Sequence, residues 1–554
     1  MALLSENNEQ YHVFSSILQA LRHPQSSSVS CFHINGPAGC GKTFVCSALL
    51  LHERLHQRVA LACATTGVAS INYVHGFTGH SLFAFPAEFD DTIISGPRIE
   101  SKYMEILIDG KTNRRLELIR AATLLVWDEL SMLRRDLLEA LDRLLKKLMG
   151  NTMPFGGKIL ITLGDFRQLP PVDSENPSRC LDPEMTAYAT STFQSSVLSS
   201  PLWTGFQQFT LIVNERARND PAFHQSTLDI GNGVMKHLEI TDLDPRIKQF
   251  TSVPESLQWL YEEDVAYPYA PVDVHHRALL CVYNSDVDAV NECVMNRLKA
   301  TGSTFELCRS IDAYVSQPEM EVHTLPERAP DEEEHVLRSE KLLRDAEIAH
   351  AEREHQYDPH DSHAFDDVDV SNQAAYDGIK NTNLELNIEY LNSLSFQNAP
   401  PHKLCLTLGL MVIITRNLDP LEKLMNGVRV VIRHIGVRVI GVSRITDLHM
   451  DDPPVFLLPR ITFVVSYGAR NAKNVTRRQF PVKPCAAMTM HKSQAATMDR
   501  VVIDLRGDVF EHGQLYVAMS RVRSATDIAV LLRPGQTQIR NVTLEILLKA
   551  CSHD

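Results

Sequence analysis

Eight residues near the amino terminus, Gly36-Pro37-Ala38-Gly39-Cys40-Gly41-Lys42-Thr43, follow the spacing G-x-x-x-x-G-K-[ST]. A loop of this kind holds phosphate. Its glycines let backbone N–H groups come close, and the helix that follows presents its positive end. Lys42 is then expected on the β- and γ-phosphates and the Thr43 hydroxyl on Mg²⁺. A carboxylate pair, Asp128 and Glu129, follows the apolar run Leu124-Leu125-Val126-Trp127. At the carboxyl end of a buried strand, Asp128 can hold the hydration shell of Mg²⁺ while Glu129 orients and deprotonates an attacking water. A third apolar run, residues 159–163, ends in Gly164-Asp165-Phe166-Arg167-Gln168-Leu169-Pro170-Pro171, which places Gln168 to sense a γ-phosphate. The chemistry implied is hydrolysis of ATP with Mg²⁺.

These residues need strands to carry them. Short apolar runs rich in β-branched residues fall at 30–34, 59–64, 124–127 and 159–163, then at 209–213, 278–282, 501–505 and 528–532. Each is followed by a helix-period segment or a polar turn, as in parallel sheets buried on both faces. The runs cluster toward both ends of the chain, so two α/β lobes are expected. Between residues 404 and 480 strand-like runs follow one another (LCLTLGLMVIIT, VRVVIRHIGVRVIGV, PVFLLPRITFVVSY), which reads as a small antiparallel or barrel-like all-β insertion.

With 554 residues, 44% hydrophobic and 22% charged, the chain can fill several ordinary globular cores. Its start is too polar and acidic for a secretion signal, and its apolar runs fall far short of the roughly 20 residues needed to span a bilayer. A soluble intracellular protein is expected, without a membrane. The 11 cysteines show no Cys-x-x-Cys pair, so neither a zinc ribbon nor a disulfide framework is suggested. Taken as a whole, the net charge of −14 opposes a nucleic-acid partner. Yet residues 317–370 hold 17 Asp and Glu against 5 Lys and Arg, leaving the rest of the chain nearly neutral. A neutral body can still present a basic groove, because the local field attracts phosphates. The acidic stretch itself reads as a partly helical, partly disordered surface insertion.

Taken in order, the motifs resemble the petite-integration-frequency (Pif) helicases of superfamily one, over nearly the whole chain. Asn8-Glu9-Gln10 resembles the element that sets Gln10 against adenine. Ala64-Thr65-Thr66-Gly67-Val68-Ala69 and Gly76-Phe77-Thr78-Gly79-His80-Ser81 resemble the segments that touch single-stranded DNA in the first lobe. Pro154-Phe155-Gly156-Gly157 resembles the stretch that sets the family apart. Asn214-Glu215-Arg216 and the run His512 to Arg521 imply two arginines, Arg216 and Arg521, reaching the γ-phosphate. Met490-His491-Lys492-Ser493-Gln494 resembles the motif that couples ATP turnover to DNA. Runs at 416–420, 426–427, 459–461 and 478–481 are similar to a sub-branch found in Helitron transposons.

The resemblance implies two RecA-like parallel-sheet lobes, with a small wedge insertion near 82–118 and a small all-β barrel insertion at 385–484. The first lobe is expected over 1–195, and the second over 196–384 and 485–554. It also implies a monomer moving 5′ to 3′ on single-stranded DNA, unwinding tailed duplexes, in the nucleus or mitochondrion if the source is eukaryotic. Thr65, Thr66, His80, Ser81, His491, Lys492 and Ser493 offer groups suited to phosphate contacts, and Phe77 could stack on a base.

The chain departs from the family at Ala495-Ala496-Thr497, where Gly-Gln-Thr is usual. Losing a permissive glycine and a hydrogen-bonding glutamine bears on coupling between hydrolysis and movement. A helicase-descended interaction protein that unwinds weakly is therefore the main alternative. A ring-forming remodeller is another, although such rings borrow an arginine from a neighbouring subunit. Six histidines (323, 335, 350, 355, 360, 363) within the acidic stretch follow no ligand spacing.

Overall fold

Seven of the eight β-branched runs become strands where expected, and the strands assemble into two parallel sheets. The computed structural model describes residues 6–23, 29–83, 113–171, 186–261, 276–300, 302–314, 399–467 and 473–551, with a few single positions besides. The expected wedge near 82–118 and the acidic stretch with its six histidines lie largely or wholly outside the described residues.

The first sheet comprises β1 (Cys31–Asn35), β2 (Val59–Ala64), β3 (Phe77–Thr78), β4 (Ala122–Asp128), β5 (Ile159–Gly164) and β6 (Gln207–Thr210), in the order β3-β2-β4-β5-β1-β6. Every neighbouring pair is parallel. Alternate side chains enter opposite cores, as the two-residue period requires. Leu124 and Val126 pack with Val13, Ile17, Val45 and Leu49 from the helices Asn8–Arg22 and Lys42–Leu55. Leu125 and Trp127 pack with Leu138, Leu141 and Leu145 of the helix Arg135–Met149. That helix buries leucines at i, i+3, i+4 and i+7 and stops at Gly150, whose φ of +65° forms a left-handed cap.

β6 lies past residue 195, so the first lobe takes in more chain than its expected boundary. The strand also sits earlier than the apolar run 209–213. Ile212 and Val213 are exposed, and the polar pair Gln207-Gln208 supplies the strand instead. A strand at a sheet edge tolerates this because one of its sides has no sheet neighbour.

The second sheet is formed by β8 (Lys248–Phe250), β9 (Arg277–Cys281), β20 (Ala487–Thr489), β21 (Arg500–Asp504) and β22 (Ile528–Leu531), ordered β20-β9-β21-β22-β8 and again all parallel. Ala278, Leu280, Val501 and Ile503 face a core shared with Leu515 and Tyr516 of the helix Gln514–Met519. Leu279 and Val502 face the opposite core. The two sheets are the RecA-like lobes.

Five antiparallel strands follow the continuous β texture of the sequence: β13 (Met411–Ile414), β14 (Arg429–Ile435), β15 (Val439–Arg444), β16 (Phe456–Pro459) and β19 (Val482–Pro484), ordered β16-β15-β14-β13-β19. Val412, Ile414, Val430, Ile432, Ile440 and Val442 join the core of Leu279 and Val502, so this sheet is continuous with the second lobe.

The chain divides into two compact units, and both lobes and the five-stranded sheet belong to one of them. The other unit, residues 311–395 with 463–477, contains most of a three-stranded sheet of β11 (Ile311–Tyr314), β17 (Ile461–Tyr467) and β18 (Lys473–Gln479). Within it, Arg477 donates to both oxygens of Asp312, at 3.0 Å to Oδ1 and 2.6 Å to Oδ2, with both side chains fully buried. The region expected as a single insertion at 385–484 is thus divided between the two units.

Candidate active site

Adjacency in the first sheet sets the site. β4, β5 and β1 are neighbours in that order, and their carboxyl ends deliver Asp128-Glu129, Asp165 and the phosphate loop to one edge. Open parallel sheets bind ligands at this edge. The loop is tightly shaped. Gly39 has φ of +91°, and a Cβ there would lie 2.6 Å from Cβ of Arg216 and 2.7 Å from Oδ1 of Asn214. Glycine at this position is required by space as well as by conformation.

Lys42 Nζ donates to the carbonyls of Gly36 and Pro37, the latter at 2.9 Å. Thr43 Oγ1 donates to Asp128 Oδ2 at 3.2 Å. The two expected Mg²⁺ partners therefore stand side by side, a hydroxyl and a carboxylate, which is the hard oxygen donor set that Mg²⁺ takes. Gln10 Nε2 donates to the Cys40 carbonyl at 3.1 Å, and Asn7 caps its helix by accepting from the backbone of Glu9 and Gln10. The cap fixes where the helix starts, and so where Gln10 meets the loop.

Glu129 has a left-handed backbone, with φ of +55°. Its Oε2 accepts from Gln494 Nε2 of the second lobe at 2.9 Å. Burial, then the neighbouring Asp128 carboxylate, pushes its carboxyl above the ordinary range, while Gln494, Lys42 and Arg521 oppose that shift. A raised pKa suits a general base working near neutral pH.

The second lobe reaches the same edge through the run His512 to Arg521. Tyr516 donates to Asp165 Oδ2 at 2.6 Å, and His512 Nε2 lies 2.8 Å from the Phe166 carbonyl. Asp165 also receives Arg167 and Gln168. Arg521 is fully buried and donates to the carbonyls of Val517, Ser493 and Ala496, at 2.7, 3.2 and 3.0 Å. Arg216 NH1 reaches the Ser520 carbonyl at 3.3 Å. Burial and the neighbouring Arg521 and Arg523 lower Arg216 to about 10. Asn214 braces this turn against the loop, donating to the Ala38 carbonyl at 2.9 Å and accepting from the backbone of Arg216 and Ala217. Every residue expected at the nucleotide is thus brought to one place.

The residues expected on DNA are placed more variously. Thr65 faces the carboxylate turn, its hydroxyl donating to the Glu129 carbonyl at 2.8 Å and accepting from Trp127 Nε1 at 3.1 Å. Thr66 caps the short helix Gly67–Ser70 by accepting from Ala69. Phe77, His80 and Ser81 are half-buried around β3, and burial lowers the pKa of His80. His491 pairs with Glu511 at 2.5 Å and Lys492 is exposed. Ser493 is fully buried, its hydroxyl donating to the Met490 carbonyl at 2.7 Å, so its side chain shapes the turn.

Sequence reasoning assigned no role to Tyr73, Asp165 or Tyr516, and it singled out Gln494 only as part of a motif. Tyr516 and Asp165 lie inside quoted motifs and could have been found there, whereas no pattern marks Tyr73. Among the described residues no group of three or more His, Cys, Asp or Glu could hold a metal ion. Nor is any helix among them long and apolar enough to cross a membrane.

The chain matches the model for PIF1-like helicases over residues 5–239 and the model for the 2B domain of DNA helicase Pif1 over residues 389–435. It is 24% identical to the ATP-dependent DNA helicase Pif1 of Campylobacter jejuni, covering 90% of this chain and 88% of that one. Against the human ATP-dependent DNA helicase PIF1 the identity is also 24%, covering 93% of this chain but only 60% of the relative. The yeast relative is 25% identical and is covered over 57% of its length, so the chain spans little more than half of these two eukaryotic proteins. Two solved structures share the fold at 20% identity. Bacteroides Pif1 with ADP-AlF3 and single-stranded DNA has a TM-score of 0.58, covering 95% of this chain and 92% of that one. Candida albicans Pif1 has 0.57, covering 99% of each. Fold and site define the class, a two-lobed phosphate-loop enzyme. The chain belongs to the PIF1-like helicases, a family of ATP-dependent DNA helicases.

Proposed function

We propose that the chain is a monomeric motor that hydrolyses ATP with Mg²⁺, moves 5′ to 3′ on single-stranded DNA and separates tailed duplexes. One observation carries the reading: groups from both lobes meet at Glu129, with Lys42 and Asp128 on one side and Gln494 and Arg521 on the other. A base gripped from both lobes makes hydrolysis depend on how the lobes close, and closure followed by reopening moves a strand in steps. Thr43 and Asp128 would hold Mg²⁺, which neutralises charge on the phosphates. Gln10 would read the adenine, and Gln168 would sense the γ-phosphate. Thr66, Phe77, His80, Ser81, His491 and Lys492 would line the DNA path, with Lys492 a phosphate contact. The runs at 416–420 and 426–427 support kinship with the Helitron-type sub-branch.

The test is ATPase and strand separation on 5′-tailed and 3′-tailed duplexes. Hydrolysis rising with single-stranded DNA and unwinding of the 5′-tailed substrate alone are expected, both lost in Lys42→Ala. Unwinding that survives Lys42→Ala would refute the motor.

A second reading, weak unwinding with a binding role, is favoured by Ala495, whose φ of +65° is the conformation that glycine adopts freely. It predicts that Ala495→Gly with Ala496→Gln raises unwinding, and no gain counts against it.

A further inference from the structure

Gln494 lies beside the turn that carries His491 and Lys492. We propose that it is a positioning residue for the general base Glu129, transmitting the state of the DNA-facing turn to the hydrolytic site. The inference rests on the reading of the chain as a DNA-stimulated ATPase.

Four observations support it. The amide of Gln494 donates to Glu129 Oε2 at 2.9 Å, linking residues 365 positions apart on different lobes. Gln494 is 2% exposed, so its side chain has little freedom to move except with its backbone. That backbone is pinned on both sides. Gln494 N donates to the His491 carbonyl at 3.2 Å and Ala496 N to the Ser493 carbonyl at 3.0 Å. Arg521 NH1 clamps the carbonyls of Ser493 and Ala496, and Ala495 turns the chain through a left-handed residue. Finally, the Glu129 backbone is itself left-handed and its carbonyl receives the Thr65 hydroxyl at 2.8 Å, so the turn that carries the carboxylate is held by the first lobe while its Oε2 is held by Gln494.

The consequence is mechanical. Lys492 is exposed and only two residues from Gln494, inside one hydrogen-bonded turn. A phosphate that draws Lys492 moves the turn as a unit, and the amide of Gln494 moves with it. Glu129 then changes orientation without any contact between DNA and the base itself. Small displacements of a catalytic group change rates strongly.

The measurement is steady-state ATP hydrolysis with and without oligo-dT for Gln494→Met, which keeps the side-chain volume and removes the N–H donor. The DNA-stimulated kcat is expected to fall about tenfold, with KM for ATP unchanged within about twofold, as when a residue supporting a catalytic group is removed. The ratio of stimulated to unstimulated rate should fall with it. Gln494→Glu, which sets a second carboxylate against Glu129, should fall further. In a Glu129→Gln background Gln494→Met should add no further loss, because the two act as one unit. A merely structural role would instead add its loss in both backgrounds. Binding of a fluorescent ATP analogue reports whether each variant is folded. Wild-type protein that oligo-dT fails to stimulate overturns the motor reading. Stimulated wild type with an equally stimulated Gln494→Met overturns the role given to Gln494.

Discussion

Tyr73 donates its phenolic hydrogen to Asp128 Oδ2 at 2.6 Å, and that same oxygen accepts from Thr43. Both Tyr73 and Asp128 are buried, and two protein donors converge on the one carboxylate oxygen. A hydrogen bond to a charged group contributes about 1.5–3 kcal/mol, and its loss leaves a buried acceptor short of a donor. Tyr73→Phe, which keeps the ring, should lower stability by an amount in that range. Urea unfolding reads this directly, and a midpoint equal to wild type would show the bond to be without consequence.

Glu129 should limit activity on the acid side. Its carboxyl titrates above the usual range, so kcat should fall as pH drops through a value above that of an ordinary glutamate. The sign for stability follows. A carboxyl whose folded pKa is raised stabilises the fold most when protonated, and that contribution is lost as pH rises through the folded pKa. Glu129→Gln, permanently uncharged, should therefore be more stable than wild type at pH 7 and equal to it at low pH. Its kcat should fall by about 10²-fold or more. Nucleotide-free unfolding across pH, beside a kcat profile, checks both.

Arg216 should act on the transition state more than on binding. Removing a charge-neutralising arginine from phosphoryl transfer costs about 10³-fold or more in kcat. Arg216→Ala should show that loss with KM for ATP changed only severalfold. A rate constant unaffected by Arg216→Ala would remove this residue from the chemistry.

Asp312 and Arg477 form the most buried ion pair among the described residues. Deleting one partner strands a charge in the interior, which costs about 3–5 kcal/mol. Asp312→Ala should make the smaller unit sensitive to limited proteolysis while ATP hydrolysis persists. Hydrolysis lost in parallel with proteolytic resistance would mean that the unit does not fold separately.

Much of the site was legible because its chemistry is local. The phosphate loop, the strand ending in Asp128-Glu129 and the run after β5 each declare themselves within about ten residues, and β2 spans the expected residues 59–64. What was not legible depends on distant partners. Tyr73 meets Asp128 across 55 positions and Gln494 meets Glu129 across 365, and no local pattern encodes either contact. Residues 207–213 misled for another reason: apolarity ran on into the exposed exit of the strand, while the pairing with β1 begins two residues earlier, at Gln207 and Gln208. Ala495 lies between these cases. Its departure from glycine was visible in the sequence, but its left-handed backbone was not.

The three cations expected at the γ-phosphate are engaged with carbonyl oxygens: Lys42 with Gly36 and Pro37, Arg216 with Ser520, and Arg521 with Val517, Ser493 and Ala496. A phosphate must therefore compete with the protein's own backbone for each of them. When the phosphate departs, the same carbonyls reclaim the charges, acting as a return spring. In the proposed cycle this competition would lower the affinity for nucleotide, and a product without its γ-phosphate would hold fewer of the three cations.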